Sequence, residues 1–164
     1  MRESDPDRLI CVTGANWSSA GALSILTLPE RVATDDRVFA TFHFYEPFSF
    51  THQNADWVKG ADAWGGTLWN GTTLQQKAIT RSMEQVVAWQ EKNGNMPVLL
   101  GEFGAYSAAD PESRARWTTF VAREAERRGF AWTYWEFASG FGVYGKSSKK
   151  YDAMLLEALI PETP

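Results

Sequence analysis

The sequence predicts an α/β fold of four parallel β/α units, and three observations predict it. Short apolar or β-branched runs alternate four times with stretches whose apolar residues recur at helical spacing. The third run lies in residues 97–104, PVLLGEFG, and has no polar interruption, which is typical of a strand buried on both faces of a parallel sheet. This run ends in Glu102 between two glycines, at the strand end where α/β barrels hold their catalytic groups.

The first β/α unit occupies the start of the chain. Residues 8–13 are predicted as a strand, and Trp17 follows in the loop after it. A helix over residues 20–28 ends at Pro29, because proline does not continue a helix. A charged loop, residues 30–37, leads to the second strand.

The second strand, residues 37–45, shows a clear alternation of side chains. Successive side chains of a strand point to opposite faces, so the two faces can be assigned. One face carries Val38, Ala40, Phe42 and Phe44, and the other carries Phe39, Thr41, His43 and Tyr45. With helices on the apolar face, His43 and Tyr45 are expected to point to the concave side of the sheet.

An aromatic segment without periodicity, residues 46–71, follows the second strand. Loops of this length inside a compact domain are usually functional. Its candidate ligand contacts are Trp57, Trp64 and Trp69, since exposed aromatic faces in a cleft are surfaces on which sugar rings stack. The alternative is that these rings only pack the loop.

The second half of the chain contains two longer helices and the last two strands. A helix begins at Thr73 and ends at Gly94, before the third strand. A second helix over residues 110–129 begins with an N-cap aspartate followed by proline. The fourth strand is predicted over residues 130–137 and a final helix over about residues 151–159. No linker divides the chain, so one unit over residues 1–164 is expected.

Composition excludes several classes of function. The chain is 44% hydrophobic and 22% charged, as expected for a globular protein without a membrane-spanning segment. The net charge is −4, and no basic patch beyond residues 146–150 suggests a nucleic acid partner. Two histidines and one cysteine offer no metal cluster, and no cofactor is expected; Cys11, in an apolar run, is predicted to lie in the core.

Three separated motifs carry a resemblance to a known family. They are FHFYEPFSFTHQNADW at residues 42–57, LLGEFGAY at residues 99–106 and WTYWEFASGFGVY at residues 132–144. In order and spacing they resemble the last four β/α units of the glycoside hydrolase family 5 endoglucanases, which are cellulases with a (β/α)8 fold. The resemblance implies that this chain is half of a TIM (β/α)8 barrel, and that its substrate is a β-1,4-linked polysaccharide or oligosaccharide.

The resemblance also implies roles for individual residues in a retaining reaction. Glu102 matches the nucleophile, and His43 and Tyr45 match the pair that lines the cleft beside it. Tyr45 could hold Glu102 for attack, while His43 could bond the substrate or the acid. The candidate substrate-binding residues are Trp135, which matches the tryptophan beneath the sugar next to the scissile bond, and Trp17, Trp57 and Trp69.

The general acid of the family has no match in this sequence. In the family it follows an asparagine, and no Asn-Glu pair occurs here, so hydrolysis by this chain alone is expected to be weak or absent. The carboxylates nearest in sequence are Glu46 and Glu136. Alternation along the fourth predicted strand places Glu136 on the face opposite Trp135, away from the cleft.

The number of strands predicts a partner. A barrel of this kind takes about 250 residues, whereas four strands leave a bare concave face and two unpaired edges. Two copies related by a two-fold axis could pair first strand with fourth strand twice and close an eight-stranded barrel. A homodimer of this kind is therefore expected.

Two alternatives remain open. One is a catalytically dead carbohydrate-binding or self-assembling half barrel, and the other is a β-mannanase-type hydrolase, because the tryptophan-rich loop does not distinguish glucose from mannose. The family is typically secreted, but the opening MRESDPDR lacks the apolar stretch of a signal peptide, so localisation is left undetermined.

Overall fold

The computed structural model describes residues 3–162 and contains a four-stranded parallel sheet. The strands lie in chain order, and each pairs in parallel with the next. They are β1 (Ile10–Thr13), β2 (Val38–Phe44), β3 (Val98–Phe103) and β4 (Ala131–Trp132). The prediction of four parallel β/α units is confirmed.

Seven helical segments connect and follow these strands in the described part of the chain. They are α1 (Ala15–Ser18), α2 (Ala20–Ser24), α3 (Glu30–Ala33), α4 (Phe48–Thr51), α5 (Thr73–Lys92), α6 (Pro111–Arg127) and α7 (Ala153–Leu159). A 3-10 helix spans Ala61–Trp64, and a small antiparallel hairpin joins β5 (Tyr144–Gly145) to β6 (Lys150–Tyr151).

The long helices begin at side-chain caps that satisfy free backbone N–H groups. Thr72 and Gln75 form a reciprocal capping box at the start of α5. The Asp110 carboxylate accepts from the backbone N–H of Ser113, and Pro111 occupies the first turn of α6. Because these caps are encoded locally, the sequence places both helix starts correctly.

One hydrophobic core lies between the sheet and the helices. Phe42 of β2 and Leu100 of β3 are fully buried against this layer, to which α5 contributes Met83 and α6 contributes Trp117. Each large apolar side chain buried in this way stabilises the fold by about 1.5–3 kcal/mol. The packing fixes which face of the sheet is covered, and so leaves the other face available for a site.

The opposite face of the sheet is open and partly polar. Thr13 and Thr41 each donate a hydroxyl hydrogen bond to a backbone carbonyl of the neighbouring strand. Cys11 lies on this face and is exposed. The prediction of a core position for Cys11 is therefore wrong, because alternation along β1 turns Ile10 and Val12, but not Cys11, towards the helices.

Several elements differ from the sequence-based expectation. The predicted fourth strand over residues 130–137 ends at Trp132, and the β5–β6 hairpin, which was not predicted, lies between β4 and α7. The segment over residues 46–71 contains α4 and the 3-10 helix, and it is organised by the buried Gln53 amide, which bonds the backbone of Phe50, Gly66 and Thr67.

No helix within residues 3–162 has the length and apolar character needed to cross a bilayer.

Candidate active site

The candidate site lies at the carboxyl ends of the two central strands. Along β2 the alternating pattern holds, since Val38, Ala40, Phe42 and Phe44 are buried against the helices. His43 therefore points to the open face, as the sequence predicts. On β3, Glu102 is the register partner of His43, so the two side chains start from adjacent backbone positions.

A register shift between β2 and β3 turns Glu102 to the open face. Leu100 is buried on the helix side, and simple alternation would place Glu102 on that side too. Phe42 pairs with Leu100 and His43 pairs with Glu102, so Gly101 is an extra residue on β3. This bulge reverses the alternation, which exposes Glu102 to the site and buries Phe103.

The Glu102 carboxylate is held through one oxygen. The Tyr45 hydroxyl donates to Oε2 at 3.0 Å, and His43 Nδ1 lies 3.3 Å from the same oxygen. Both rings thus contact Oε2 and not Oε1. A carboxylate that is oriented through one oxygen can present the other to an electrophilic carbon, which is what a nucleophilic carboxylate requires.

Tyr45 stays protonated beside this carboxylate. Burial raises the pKa of the Tyr45 hydroxyl far above its ordinary value, and the neighbouring Glu102 charge and hydrogen bond add to the rise. The hydroxyl therefore acts as a neutral hydrogen-bond donor at physiological pH. It stabilises Glu102 without taking up or releasing a proton itself.

A cavity of about 1240 Å³ opens above the strand ends and contains most of the predicted residues. It is lined by His43, Tyr45, Glu102, Trp135, Trp57 and Trp17, among others. The three tryptophans are 45%, 57% and 91% exposed respectively, so their faces are accessible to a ligand. Trp17 is presented by α1, whose residues Asn16 and Trp17 have left-handed backbone angles.

Two aromatic candidates lie elsewhere. Trp69 is 1% exposed, packs in the core near Phe120 and does not line this cavity, so it cannot stack on a sugar there. The expectation of substrate contact for Trp69 is therefore corrected. Trp64 is half-buried, packs edge-on against Phe48 and is also absent from the cavity lining.

Glu136 also departs from the expectation. It lines the cavity, its negative charge acts on Tyr45, and its Oε1 accepts from the backbone N–H of Phe141 at 3.2 Å. The expectation that Glu136 points away is wrong because β4 ends at Trp132, so strand alternation does not extend to residue 136. Glu46 also lines the cavity, and its carboxylate accepts from the backbone N–H of Phe48.

Gly104 allows the loop carrying Trp135 to approach β3. A Cβ on Gly104 would overlap the carbonyl oxygen of Trp135 and press on the Phe141 ring. The backbone N–H of Trp135 donates to the carbonyl of Phe103 at 2.9 Å, so the loop is bonded directly to the strand end. The glycine is required by this close approach of two backbones.

Sequence reasoning missed the wall formed by His52, Tyr106 and Phe141 in this cavity. Burial lowers the pKa of His52 to about 4, so the ring is neutral at physiological pH. The Thr51 hydroxyl donates to the carbonyl of Tyr45 and must therefore accept from Nδ1 of His52, which leaves Nε2 as a hydrogen-bond acceptor. The aromatic run around His52 is the signal that could have indicated it.

The groups that face the cavity include oriented carboxylates and aromatic rings. Residues 3–162 contain no group of three or more His, Cys, Asp and Glu side chains placed to hold a metal ion. Exposed ring faces bind the apolar faces of sugars, and carboxylates bind or attack them. The cavity is thus suited to a carbohydrate chain.

Comparisons with known proteins place the chain in a family and match its fold. A family model described as cellulase (glycosyl hydrolase family 5) matches residues 1–140. Endoglucanase H of Acetivibrio thermocellus is 32% identical over 165 residues, which cover 97% of this chain and 16% of that protein. The Thermotoga maritima Cel5A structure with cellobiose superposes with a TM-score of 0.89 at 43% identity, covering 97% of this chain and 50% of that chain.

Cel5A of Thermotoga maritima has also been solved with mannotriose, with the same TM-score of 0.89, identity of 43% and coverage of 97% and 50%. The chain thus spans half or less of the length of these relatives. The matched half of Cel5A corresponds to the four β/α units described above.

Proposed function

Because the chain belongs to the cellulase family, glycosyl hydrolase family 5, we propose that it forms the nucleophile-bearing half of an endo-β-1,4-glucanase active site. The observation that carries the proposal is the 3.0 Å hydrogen bond from Tyr45 to Glu102 at the floor of the cavity. His43 and the exposed ring of Trp135 complete the group.

In this proposal Glu102 attacks the anomeric carbon of a β-1,4-linked glucan. Oε1 forms a bond to this carbon as the glycosidic C–O bond breaks, and the leaving sugar departs as an alcohol after taking a proton from water. Tyr45 and His43 hold Oε2, so the nucleophile keeps its orientation during the attack. Trp135 stacks beneath the sugar ring, and Trp57 and Trp17 contact sugars further along the chain. A glycosyl-enzyme intermediate follows, which water hydrolyses with retention of configuration.

The general acid is the group that this proposal does not assign to the described residues. Glu46 and Glu136 are the other carboxylates that line the cavity, and each already accepts a backbone N–H bond within its own loop. We therefore propose weak or absent hydrolysis of natural glucans by this chain alone. An aryl β-cellobioside with a good leaving group needs little acid assistance, and it is the substrate of choice for a test.

The experiment compares wild type with Glu102→Gln on such an activated aryl cellobioside and on carboxymethyl cellulose. We expect slow release of the phenol by wild type and none by the variant, because an amide is a far weaker nucleophile than a carboxylate. Cellotetraose binding, followed by tryptophan fluorescence, should survive in the variant. Equal turnover by both proteins would reject Glu102 as nucleophile, and binding without any turnover in wild type would favour a carbohydrate-binding function.

A second candidate substrate is β-mannan, because Cel5A of Thermotoga maritima has been solved with mannotriose as well as with cellobiose. The fluorescence titration repeated with mannotriose and cellotriose decides between them. Tighter binding of cellotriose supports the glucanase proposal, whereas tighter binding of mannotriose favours the mannanase.

We also propose that two copies associate to close a barrel. Support comes from exposed apolar side chains in the first and last parts of the unit: Leu9 before β1, Ile25 at the end of α2, and Met154, Leu156 and Ile160 in and after α7. Isologous pairing of β1 with β4 would cover the open face. Size-exclusion chromatography with light scattering should give twice the chain mass, and a monomer at micromolar concentration would reject the dimer.

A further inference from the structure

Arg114 is a buried cation that the proposed chemistry does not use. It lies close to the start of α6 and is only 6% exposed. Burying a cation at the positive end of a helix is electrostatically unfavourable. The contacts of the guanidinium therefore need an explanation other than stability alone.

The guanidinium connects two loops of the site. Its Nε donates to the carbonyl of Ala105 at 2.8 Å, in the loop after β3, and Nη2 donates to the carbonyl of Phe141 at 3.1 Å, in the loop after β4. The Tyr134 hydroxyl donates to the same Phe141 carbonyl at 3.0 Å. The planar fork of an arginine suits two acceptors held at a fixed separation.

The two loops carry Tyr106 and Phe141 of the cavity wall. Ser107 N–H donates to the carbonyl of Gly140 at 2.9 Å, which ties the loops together a second time. The Phe141 ring lies 6.0 Å from the Tyr45 ring and 5.3 Å from the His52 ring, both edge-on. The position of Phe141 thus limits where the Tyr45 ring, and with it the hydroxyl on Glu102, can lie.

We propose that Arg114 is a positioning residue: it locks the loop after β4 to the loop after β3 and so holds the Phe141 ring against Tyr45. The proposal rests on the proposed function in one respect, namely that Tyr45 orients the nucleophile. Arg114 touches neither the cavity nor Glu102 in this arrangement, and acts through Phe141.

Hydrogen exchange at two backbone amides tests the proposal directly. The reporters are the backbone N–H groups of Ser107 and Phe141. Ser107 N–H bonds the Gly140 carbonyl on the other loop, and Phe141 N–H bonds the Glu136 carboxylate within its own loop. Arg114→Met should speed exchange at both by roughly ten- to a hundred-fold relative to amides of β2 and α5, since hydrogen bonds from a charged donor are lost. In Arg114→Lys the two exchange rates should lie between those of wild type and Arg114→Met, because an ammonium group lacks the planar fork that reaches both carbonyls.

Arg116→Met is the matched control on the same helix. Arg116 donates to the carbonyl of Trp69, in a segment outside the cavity, so this variant should leave exchange at Ser107 and Phe141 unchanged. A uniform rise over β2, α5 and the loops in Arg114→Met, or no change in the loops, would overturn the proposal. If Arg114→Met does not fold, Arg114→Lys and Tyr134→Phe are measured in its place. A smaller rise in the exchange rates of the Ser107 and Phe141 amides is expected in both.

An activity readout separates this proposal from the proposed function. On the activated aryl cellobioside, Arg114→Met should lower kcat per folded molecule while Arg116→Met does not. If wild type releases no phenol, the proposed function fails, but the exchange experiment still decides the role of Arg114. Faster loop exchange with unchanged kcat in an active enzyme would overturn the link to Tyr45.

Discussion

Gly101→Ala tests whether the β3 bulge places Glu102. A Cβ on Gly101 overlaps the Thr41 hydroxyl, while the next atoms, Cδ2 and Nε2 of His43, lie at 3.5 and 3.6 Å, which is ordinary contact. The Thr41 hydroxyl donates to the carbonyl of Leu99 at 3.1 Å and must move away from it. Since overpacking costs about 1–3 kcal/mol, we expect a loss of this size in the free energy of unfolding.

The same substitution should also displace the nucleophile. A shift of about 1 Å in a reacting group can cost about 100-fold in rate, so the activity per folded molecule should fall clearly. Urea unfolding followed by tryptophan fluorescence gives the stability, and initial rates on the activated aryl cellobioside give the activity.

Thr41→Ala provides the rescue. It removes the one atom that a Cβ at residue 101 overlaps, so the double variant should recover about 0.5–3 kcal/mol relative to the sum of the single changes. Gly104→Ala is the matched control, because its Cβ would overlap the backbone carbonyl of Trp135, which no side-chain truncation relieves. Wild-type stability and activity in Gly101→Ala, or no rescue by Thr41→Ala, would refute the reasoning.

Four further substitutions have distinct expected results. Trp135→Ala should weaken cellotetraose binding in the fluorescence titration with little loss of stability, whereas Trp69→Ala, at a buried position, should cost about 3–5 kcal/mol and leave binding per folded molecule unchanged. Loss of binding in Trp69→Ala alone would restore Trp69 as a ligand contact. His52→Gln should flatten the pH dependence of stability: burial lowers the pKa of His52 from 6.5 to about 4, so unfolded chains take up a proton first and stability falls as pH drops through this range. Urea unfolding midpoints at neutral pH and at about pH 4.5 measure this loss of stability. An equal change in midpoint between the two pH values in wild type and His52→Gln would contradict the prediction. Tyr45→Phe should remove part of the alkaline loss of stability above pH 10.0, since the raised pKa of Tyr45 keeps its proton in the folded state only, and unfolding at high pH measured in both proteins checks this.

The orientation of β2 could be predicted from the sequence because a strand has a strict two-residue period. His43 and the buried partner Phe42 follow from that period alone. The starts of α5 and α6 were also predictable, since Thr72 and Asp110 cap them locally. These features depend on neighbours in the chain rather than on tertiary contacts.

The parts that could not be predicted depend on tertiary geometry. The bulge at Gly101 has no periodic signal, although it decides the face on which Glu102 lies. The expectation for Glu136 failed because the length of β4 is set by its pairing with β3. Only Leu99 and Leu100 of β3 have partners on β4, so the strand is two residues long and ends before Glu136. Trp69 and Trp135 are both tryptophans, and the sequence alone does not say which of them is buried. Only the packed structure shows that Trp69 lies in the core and Trp135 lines the cavity.

Covalent trapping tests the central claim most directly. A 2-deoxy-2-fluoro-cellobioside with a good leaving group should slow breakdown of the glycosyl-enzyme, so that intact-mass measurement shows a glycosyl adduct and peptide mapping places it on Glu102. Glu102→Gln should remain unlabelled under the same conditions. Labelling of another residue, or turnover of the activated glycoside by wild type with Glu102 never modified, would contradict the account.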